Sequence, residues 1–151
     1  MSEDIDRLAK ELQAAVIEDA GEIYSKKALR AMMEPENMGE MEAADADALT
    51  KGICGDRMRI YLKIENDRIE RAAFLSDGCG TSIACGSMAT RLATGKTVRE
   101  AMGISPAEIL DGLDGLPDSH IHCSILASIT LQKAIAQYLL KKEGMGEDAR
   151  I

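Results

Sequence analysis

The stretch RMRIYLKIE, Arg57–Glu65, alternates polar and apolar side chains more regularly than any other part of the chain. Its apolar residues fall on one face: Met58, Ile60, Leu62 and Ile64. Because the side chains of a strand point alternately to its two faces, this pattern predicts an antiparallel strand that is buried on one side. Asn66 and Asp67 predict a tight turn into a returning strand over Ile69–Leu75. Such a hairpin requires other elements to cover its apolar face.

Helices are the elements that the rest of the sequence offers for this cover. Apolar residues at helical spacing and local capping residues predict helices over 2–20, 24–33, 82–94, 98–102 and 106–113, and a final helix from about 119 or 121 to 140. Residues 37–49 are acidic with small side chains, which fits an irregular segment or an edge strand. The fold class predicted is α+β: a small antiparallel sheet of about three strands with helices packed on it, plus an extra N-terminal helix.

Charge and hydropathy exclude several classes of function. A formal net charge of −8 argues against nucleic-acid binding, which needs a basic surface. We find no apolar run close to the roughly 20 residues that cross a bilayer, and the acidic start MSEDIDRLAKEL is not that of a signal peptide. A cytoplasmic location without membrane partners is therefore expected. There, the four cysteines are more often metal ligands, reactive thiols or small buried residues than disulfides.

Two cysteines stand in loops that contain glycine. Cys54 and Asp56 flank Gly55 just before the first strand of the hairpin, where both side chains can point to one side. A turn with a buried cysteine and a capping aspartate explains them equally well. Cys79 lies between two glycines just before a predicted helix. Peptide N–H groups at a helix start stabilise a thiolate and lower its pKa, so a functional role is favoured for Cys79.

The other two cysteines lie in predicted helices. His122 and Cys123 stand in the first turn of the final helix, where both can lean toward one ion. His120 is predicted to point elsewhere and to serve as a surface or capping residue. Cys85 shares a helical packing pattern with Met88, which favours a small buried residue over a ligand or an auxiliary, sulfur-accepting thiol.

Three thiols, a carboxylate and an imidazole, each in a loop or at the end of an element, together predict a metal site. Soft thiolates select zinc, copper(I) or iron–sulfur centres. The spacings match neither the closely spaced cysteine pairs of a zinc finger nor the cysteine run of a ferredoxin. The residues alone therefore predict a three-loop thiolate site and leave its metal open.

Four segments resemble the IscU/NifU N-terminal family of iron–sulfur cluster assembly scaffolds, and they occur in the family's order: YSKKALRAMMEPENMGEME, CGDRMRIYLKIENDRIERAAF, GCGTSIACGSMATRLATGKTVREAM and HCSILASITLQKAIAQYL. The resemblance covers about Tyr24 to Leu140, and its ligand motifs C-G-D, G-C-G and H-C-S are specific as a set. The metal ligands that it implies are Cys54, Asp56, Cys79 and Cys123, with His122 as an alternative fourth ligand.

The resemblance also implies a function and partners. A scaffold of this family receives sulfur from a cysteine desulfurase, assembles a 2Fe-2S cluster that it holds transiently, and releases it to apo-proteins. It is a carrier rather than an enzyme, and zinc can occupy it when the cluster is absent. Because residues 116–120 read LPDSH rather than an LPPVK-like motif, a dedicated heat-shock chaperone is not expected as a partner.

The resemblance divides the chain into three parts. Residues 23–143 would form the IscU/NifU-like scaffold domain, after an N-terminal helical extension, 1–22, and before a C-terminal tail, 144–151. The apolar stripe of the extension would pack on the domain or mediate the contacts of a homodimer.

Two other interpretations use the same ligands. A zinc-bound sulfur acceptor of the SufU type would take persulfide from the desulfurase on one cysteine, as a sulfurtransferase. Such proteins typically carry an insertion between the second and third ligand motifs, whereas Cys79 and Cys123 here are 44 positions apart (123 − 79), as in the uninserted form. His122 directly before Cys123 points the same way. A purely structural zinc site is disfavoured because a domain of 151 residues hardly needs metal to fold.

Overall fold

A computed structural model describes residues 2–21, 23–53 and 55–144 of the chain. Its strands form one antiparallel sheet in the order β1-β2-β3, with β1 at Ala46–Lys51, β2 at Arg57–Glu65 and β3 at Arg68–Ser76. The α-helices in this part of the chain are α1 (Ser2–Gly21), α2 (Lys26–Met33), α3 (Gly80–Ala93), α4 (Val98–Met102), α5 (Pro106–Gly112) and α6 (His122–Lys142). A 3₁₀ turn, Asp118–His120, precedes α6. The predicted α+β fold with an N-terminal helix is confirmed.

The central strand β2 is the one that the alternating pattern predicts. Met58, Ile60 and Leu62 are fully buried on its inner face. Asn66 and Asp67 both have positive φ, 54° and 59°, as a two-residue hairpin turn requires, and β3 returns from it in antiparallel register. The turn closes one end of the hairpin. The open end therefore carries the residues that precede β2 and follow β3.

The acidic segment before the hairpin becomes partly an edge strand. β1 begins at Ala46, pairs with β2 and continues to Lys51, two residues beyond the segment in which the sequence allows an edge strand. Residues 37–39 are instead held by β3, because the N–H of Phe74 donates to the carbonyl of Asn37 and the N–H of Gly39 donates to that of Phe74. Both alternatives for this segment are thus realised, in different parts of it.

The helices cover a single face of the sheet. α6 packs on β1 and β2, α3 packs on β3 and on α6, and α2 packs on α3. Their bounds differ from the sequence prediction by a few residues, for identifiable reasons. α2 begins at Lys26 rather than at residue 24, because the Ser25 hydroxyl accepts from the N–H of Ala28 at 3.0 Å and caps the helix.

Helix α1 stands apart from this core. Its apolar side chains Ile5, Leu8 and Leu12 each expose more than half of their surface. Of the two alternatives for the extension, packing on the domain is therefore not what these residues do. Homodimer contacts through the stripe stay a prediction.

One helical segment among the described residues, Asp118–Lys142, is long and apolar enough to cross a membrane by length and composition alone. The sequence analysis found no such run. Half of its most apolar window is buried inside the domain, where α6 packs on the sheet. The burial accounts for its apolar composition as that of a core helix.

Candidate metal centre

The open end of the hairpin holds the C-G-D and G-C-G loops together. The N–H of Arg57 donates to Asp77 Oδ1 at 2.6 Å, and its guanidinium Nε donates to Oδ2 at 2.7 Å. These bonds, first from the backbone and then from the side chain, hold the pKa of Asp77 below its ordinary value. The residue before Arg57 is Asp56, and Cys79 lies two residues after Asp77, so this ion pair places the two predicted ligand loops side by side.

The C-G-D loop is a tight turn. Gly55 has φ +86°, which favours glycine, and the N–H of Gly52 donates to the carbonyl of Asp56 at 2.7 Å. The turn directs the Asp56 carboxylate toward α3, where its Oδ2 accepts from Ser82 Oγ at 2.9 Å. Gly78 leaves the space for this carboxylate, because a Cβ there would lie 2.6 Å from Asp56 Oδ2. Cys54 lies outside the described residues.

Cys79 is the N-cap residue of α3, as the sequence predicts for a thiol just before a helix. Its side chain is exposed, and its Sγ lies 2.9 Å from Thr81 Oγ1. Partial burial acts to raise the pKa of this thiol. Hydrogen bonds from the Thr81 hydroxyl and from the backbone N–H groups of Ser82 and Thr81 outweigh the burial, so the pKa lies below its ordinary value. Cys79 is therefore the readier of the two helix-start thiols to form a thiolate.

Cys123 approaches the same point from the first turn of α6 and is fully buried. Its Sγ lies 3.4 Å from both Ser82 Oγ and Thr81 Oγ1. Burial raises the pKa of the Cys123 thiol, although the Ser82 and Thr81 hydroxyls act in the opposite direction. The N-termini of two helices thus converge on one pair of sulfurs, and both favour negative charge there.

The two histidines are placed differently from the expectation. His122 Nε2 lies 3.6 Å from the sulfur of its neighbour Cys123. His120 does not point elsewhere: a ligand atom of its ring and the sulfurs of Cys79 and Cys123 all lie within 4.8 Å of one another. The 3₁₀ turn is the reason, because it rotates His120 to the same side as Cys123, which a continuous helix from residue 119 would not do.

Cys85 is fully buried in α3, as its packing pattern with Met88 predicts. Burial raises the pKa of its thiol, and the nearby charges of Cys123 and Cys79 act in the same direction. A thiol in this state is a poor nucleophile at neutral pH. The packed-residue interpretation is therefore the better supported of the two.

Sequence reasoning missed Thr81 and Ser82. Both hydroxyls are buried at the start of α3, between the sulfurs of Cys79 and Cys123. The available signal was two adjacent hydroxyl residues directly after C-G, at the helix start where hydroxyls serve as local hydrogen-bond partners. They hold the thiols, the Asp56 carboxylate and the His120 ring in one hydrogen-bonded network.

This arrangement is suited to a soft metal. Two thiols, an imidazole and a neighbouring carboxylate are the donor types of zinc and iron sites. The buried hydroxyls and two helix N-termini supply hydrogen bonds and partial positive charge to anionic sulfur. The fold and this centre together define the class of protein: a small α+β domain with a thiolate-rich metal centre at the open end of its sheet.

Comparison with known proteins gives the family. Residues 23–144 match the family model described as NifU-like N terminal domain, and the chain belongs to this family. The iron-sulfur cluster assembly scaffold protein IscU 1 of Archaeoglobus fulgidus is 41% identical over 120 residues, which cover 79% of this chain and 78% of that protein. The scaffold protein IscU of Azotobacter vinelandii is 39% identical over 124 residues, covering 79% and 96%. The resemblance found in the sequence is thereby confirmed.

A solved structure supports the same fold. The crystal structure of a putative iron-sulfur cluster assembly scaffold protein for the SUF system, from Fervidobacterium islandicum, superposes with a TM-score of 0.60. It covers 74% of this chain and 96% of that one at 21% sequence identity, which shows the fold alone.

The different states of the thiols predict an order of alkylation. In metal-free protein at neutral pH, we expect iodoacetamide to modify Cys79 roughly tenfold or more faster than Cys123 or Cys85, because Cys79 is exposed and has the lowered pKa. Peptide mass spectrometry against time measures this. Thr81→Val removes the hydroxyl that stabilises the thiolate and should slow the reaction at Cys79. Faster modification of Cys123 than of Cys79 would contradict the assignment.

Proposed function

We propose that this chain is a scaffold on which an iron–sulfur cluster is assembled and from which the cluster passes to acceptor proteins. The observation that carries the proposal is the convergence of Cys79, Cys123 and a histidine nitrogen within 4.8 Å, in a member of the NifU-like family. The names of the relatives support it, since those from Archaeoglobus fulgidus and Azotobacter vinelandii are called iron-sulfur cluster assembly scaffold proteins.

The cluster is cargo, and its proposed ligands are those of the sequence analysis: Cys54, Asp56, Cys79 and Cys123, with His122 as the alternative fourth ligand. Thiolates bind iron and sulfide units well because both partners are soft. A carboxylate is a harder donor and holds such a unit more weakly. Three strong ligands and one weak ligand suit a protein that has to release what it builds.

The buried hydroxyls would support the cargo while it is bound. Thr81 Oγ1 and Ser82 Oγ lie 3.4 Å from Cys123 Sγ, within reach of a charged sulfur. Hydrogen bonds to charged groups are shorter and stronger than neutral ones. The hydroxyls would thus offset part of the negative charge that sulfide and thiolate bring into a largely buried site.

The weak ligand gives a testable prediction. Asp56→Ala should slow transfer of the cluster to an apo-ferredoxin without abolishing assembly. A hydrogen bond to a charged group contributes about 1.5–3 kcal/mol, so the loss should slow transfer by about tenfold or more. Transfer is followed by the visible spectrum of the acceptor after mixing with reconstituted scaffold.

Glu70→Ala is the matched control for Asp56→Ala. It removes an exposed carboxylate near the hairpin turn, at the opposite end of the sheet from the site. Transfer by this variant should proceed as in the unchanged protein. An unchanged transfer rate for Asp56→Ala would reject its role as the releasing ligand.

Partners and chemistry follow from the proposal. A cysteine desulfurase would supply sulfur, apo-proteins would receive the cluster, and the chain itself would be a carrier rather than an enzyme. Zinc would occupy the site when the cluster is absent. A zinc-bound sulfur acceptor of the SufU type is the alternative, and it would bind zinc but fail to build a cluster. A cytoplasmic location stays a prediction.

The proposed division of the chain assigns the scaffold role to residues 23–143, between the extension 1–22 and the tail 144–151. Most of the tail lies outside the described residues.

A further inference from the structure

His120 is the one member of the three-donor group to which neither the sequence motifs nor the proposed cluster ligands give a role. Within residues 2–21, 23–53 and 55–144, Cys79, His120 and Cys123 form the single group of three or more such donors close enough to share one ion. Asp56 and His122 are not members of this group. A site for a single ion is therefore assembled before the weak ligand joins it.

The ring of His120 is held in position from three directions. Its backbone N–H donates to the carbonyl of Pro117 at 2.8 Å and closes the 3₁₀ turn. Its Nδ1 lies 3.3 Å from Thr81 Oγ1. Its face is tilted against the ring of Tyr24, with 6.2 Å between the centroids. A half-buried imidazole fixed in this way is preorganised, so that a metal need not order it on binding.

The Asp56 carboxylate is kept out of the group by a specific bond. Ser82 Oγ donates to Asp56 Oδ2 at 2.9 Å, a shorter contact than the 3.4 Å between the same oxygen and Cys123 Sγ. The hydroxyl has one proton to donate, and the charged carboxylate is the stronger acceptor. Asp56 is thus adjacent to the sulfurs but engaged.

We propose that Cys79, His120 and Cys123 form a mononuclear site that binds one divalent cation, iron(II) or zinc(II), before sulfide arrives, with His120 as its nitrogen ligand. This deepens the proposed function and rests on it. Two thiolates and an imidazole are a donor set that both cations accept, and three protein ligands leave a fourth position open for water or incoming sulfide. Each thiol that coordinates releases its proton to solvent.

The test uses the full chain without sulfide, cobalt(II) as a spectroscopic probe and zinc(II) in competition with a chelator. We expect His120→Ala to weaken binding of the first equivalent of zinc roughly 10- to 100-fold, and to weaken the tetrahedral cobalt absorption. His122→Ala should lose less affinity than His120→Ala, and Glu70→Ala should bind as the unchanged chain does. Circular dichroism establishes that each variant is folded.

A second variant separates coordination from positioning. His120→Asn keeps a side chain that can bond to the Thr81 hydroxyl but is a poor ligand for zinc. It should behave as His120→Ala does. Recovery of full affinity in His120→Asn would mean that His120 only orients Thr81. A larger loss in His122→Ala than in His120→Ala would assign the nitrogen ligand to His122, and either result overturns the proposal.

Reconstitution of the same proteins with iron and sulfide keeps this inference distinct from the scaffold function. A cluster on the unchanged chain, with zinc affinity unaltered in His120→Ala, would refute the mononuclear site and leave the scaffold role standing. No cluster on the unchanged chain, with zinc affinity lost in His120→Ala, would refute the scaffold role and leave the mononuclear site standing.

Discussion

Replacing Phe74 with alanine is expected to lower the free energy of unfolding by about 3–5 kcal/mol, the range for a buried aromatic residue. Phe74 is the single phenylalanine of the chain and is fully buried on β3, facing α3. Whole domains are stable by only about 5–15 kcal/mol, so this one side chain carries a large share. Urea unfolding followed by circular dichroism measures the loss.

The reason is a close fit between this ring and Gly86 of α3. A Cβ on Gly86 would lie 2.4 Å from Phe74 Cδ2, so the helix approaches the sheet over a position without a side chain. Gly86→Ala alone should cost about 1–3 kcal/mol by overpacking. In the double variant with Phe74→Ala, the added methyl enters the space that the ring vacates. The double loss should therefore fall short of the sum by about 0.5 kcal/mol or more.

Leu49→Ala is the control for this cycle. Leu49 is half exposed on the edge strand β1, so its truncation should change stability by about 0.5 kcal/mol or less. A loss for Phe74→Ala no larger than that for Leu49→Ala would contradict the packing described for α3 on β3. Strictly additive losses in the cycle would contradict the direct contact between the two positions.

The second large effect is expected at the metal centre. Cys123→Ser should reduce the iron and sulfide retained after anaerobic reconstitution by at least about tenfold, since even loss of a residue behind a ligand costs roughly 10- to 100-fold. Serine has nearly the same shape, but its hydroxyl is a harder donor than a thiolate and stays protonated. Chemical iron and sulfide analysis per chain measures the result.

Cys85→Ala is the comparison for Cys123→Ser. It removes another fully buried thiol, three residues from Ser82, that the packing assigns to the core. This variant should retain most of the cluster, and its urea midpoint should fall only modestly. Full retention of cluster in Cys123→Ser would remove Cys123 from the ligand set. Loss of cluster in a folded Cys85→Ala protein would restore the auxiliary role for that thiol.

Much of the fold could be predicted because local patterns determine it. The alternation of β2 and the Asn66-Asp67 turn depend on period and on φ, both of which are local properties. The positions of Cys79 and Cys123 at helix starts follow from glycine and from the onset of helical spacing in the same way. The three-strand sheet with helices on one face is the arrangement that buries the apolar side of such a hairpin.

The site was less predictable because its geometry is tertiary. Thr81 and Ser82 become important only when α3 and α6 bring their N-termini together, and no local pattern reports that convergence. The facing of His120 depends on a 3₁₀ turn of three residues, Asp118–His120, which sequence periodicity does not distinguish from the first turn of a helix. The motifs therefore identify which loops meet, whereas the packing decides which side chains in them share an ion.

The most direct test of the scaffold role is the iron and acid-labile sulfide content of the anaerobically reconstituted chain, taken together with its visible absorption spectrum. We predict about two irons and two sulfides per cluster, with the charge-transfer absorption of a 2Fe-2S centre. Stoichiometric zinc, with neither iron nor sulfide retained even after the zinc has been removed, would contradict the scaffold role and favour a zinc-bound sulfur acceptor.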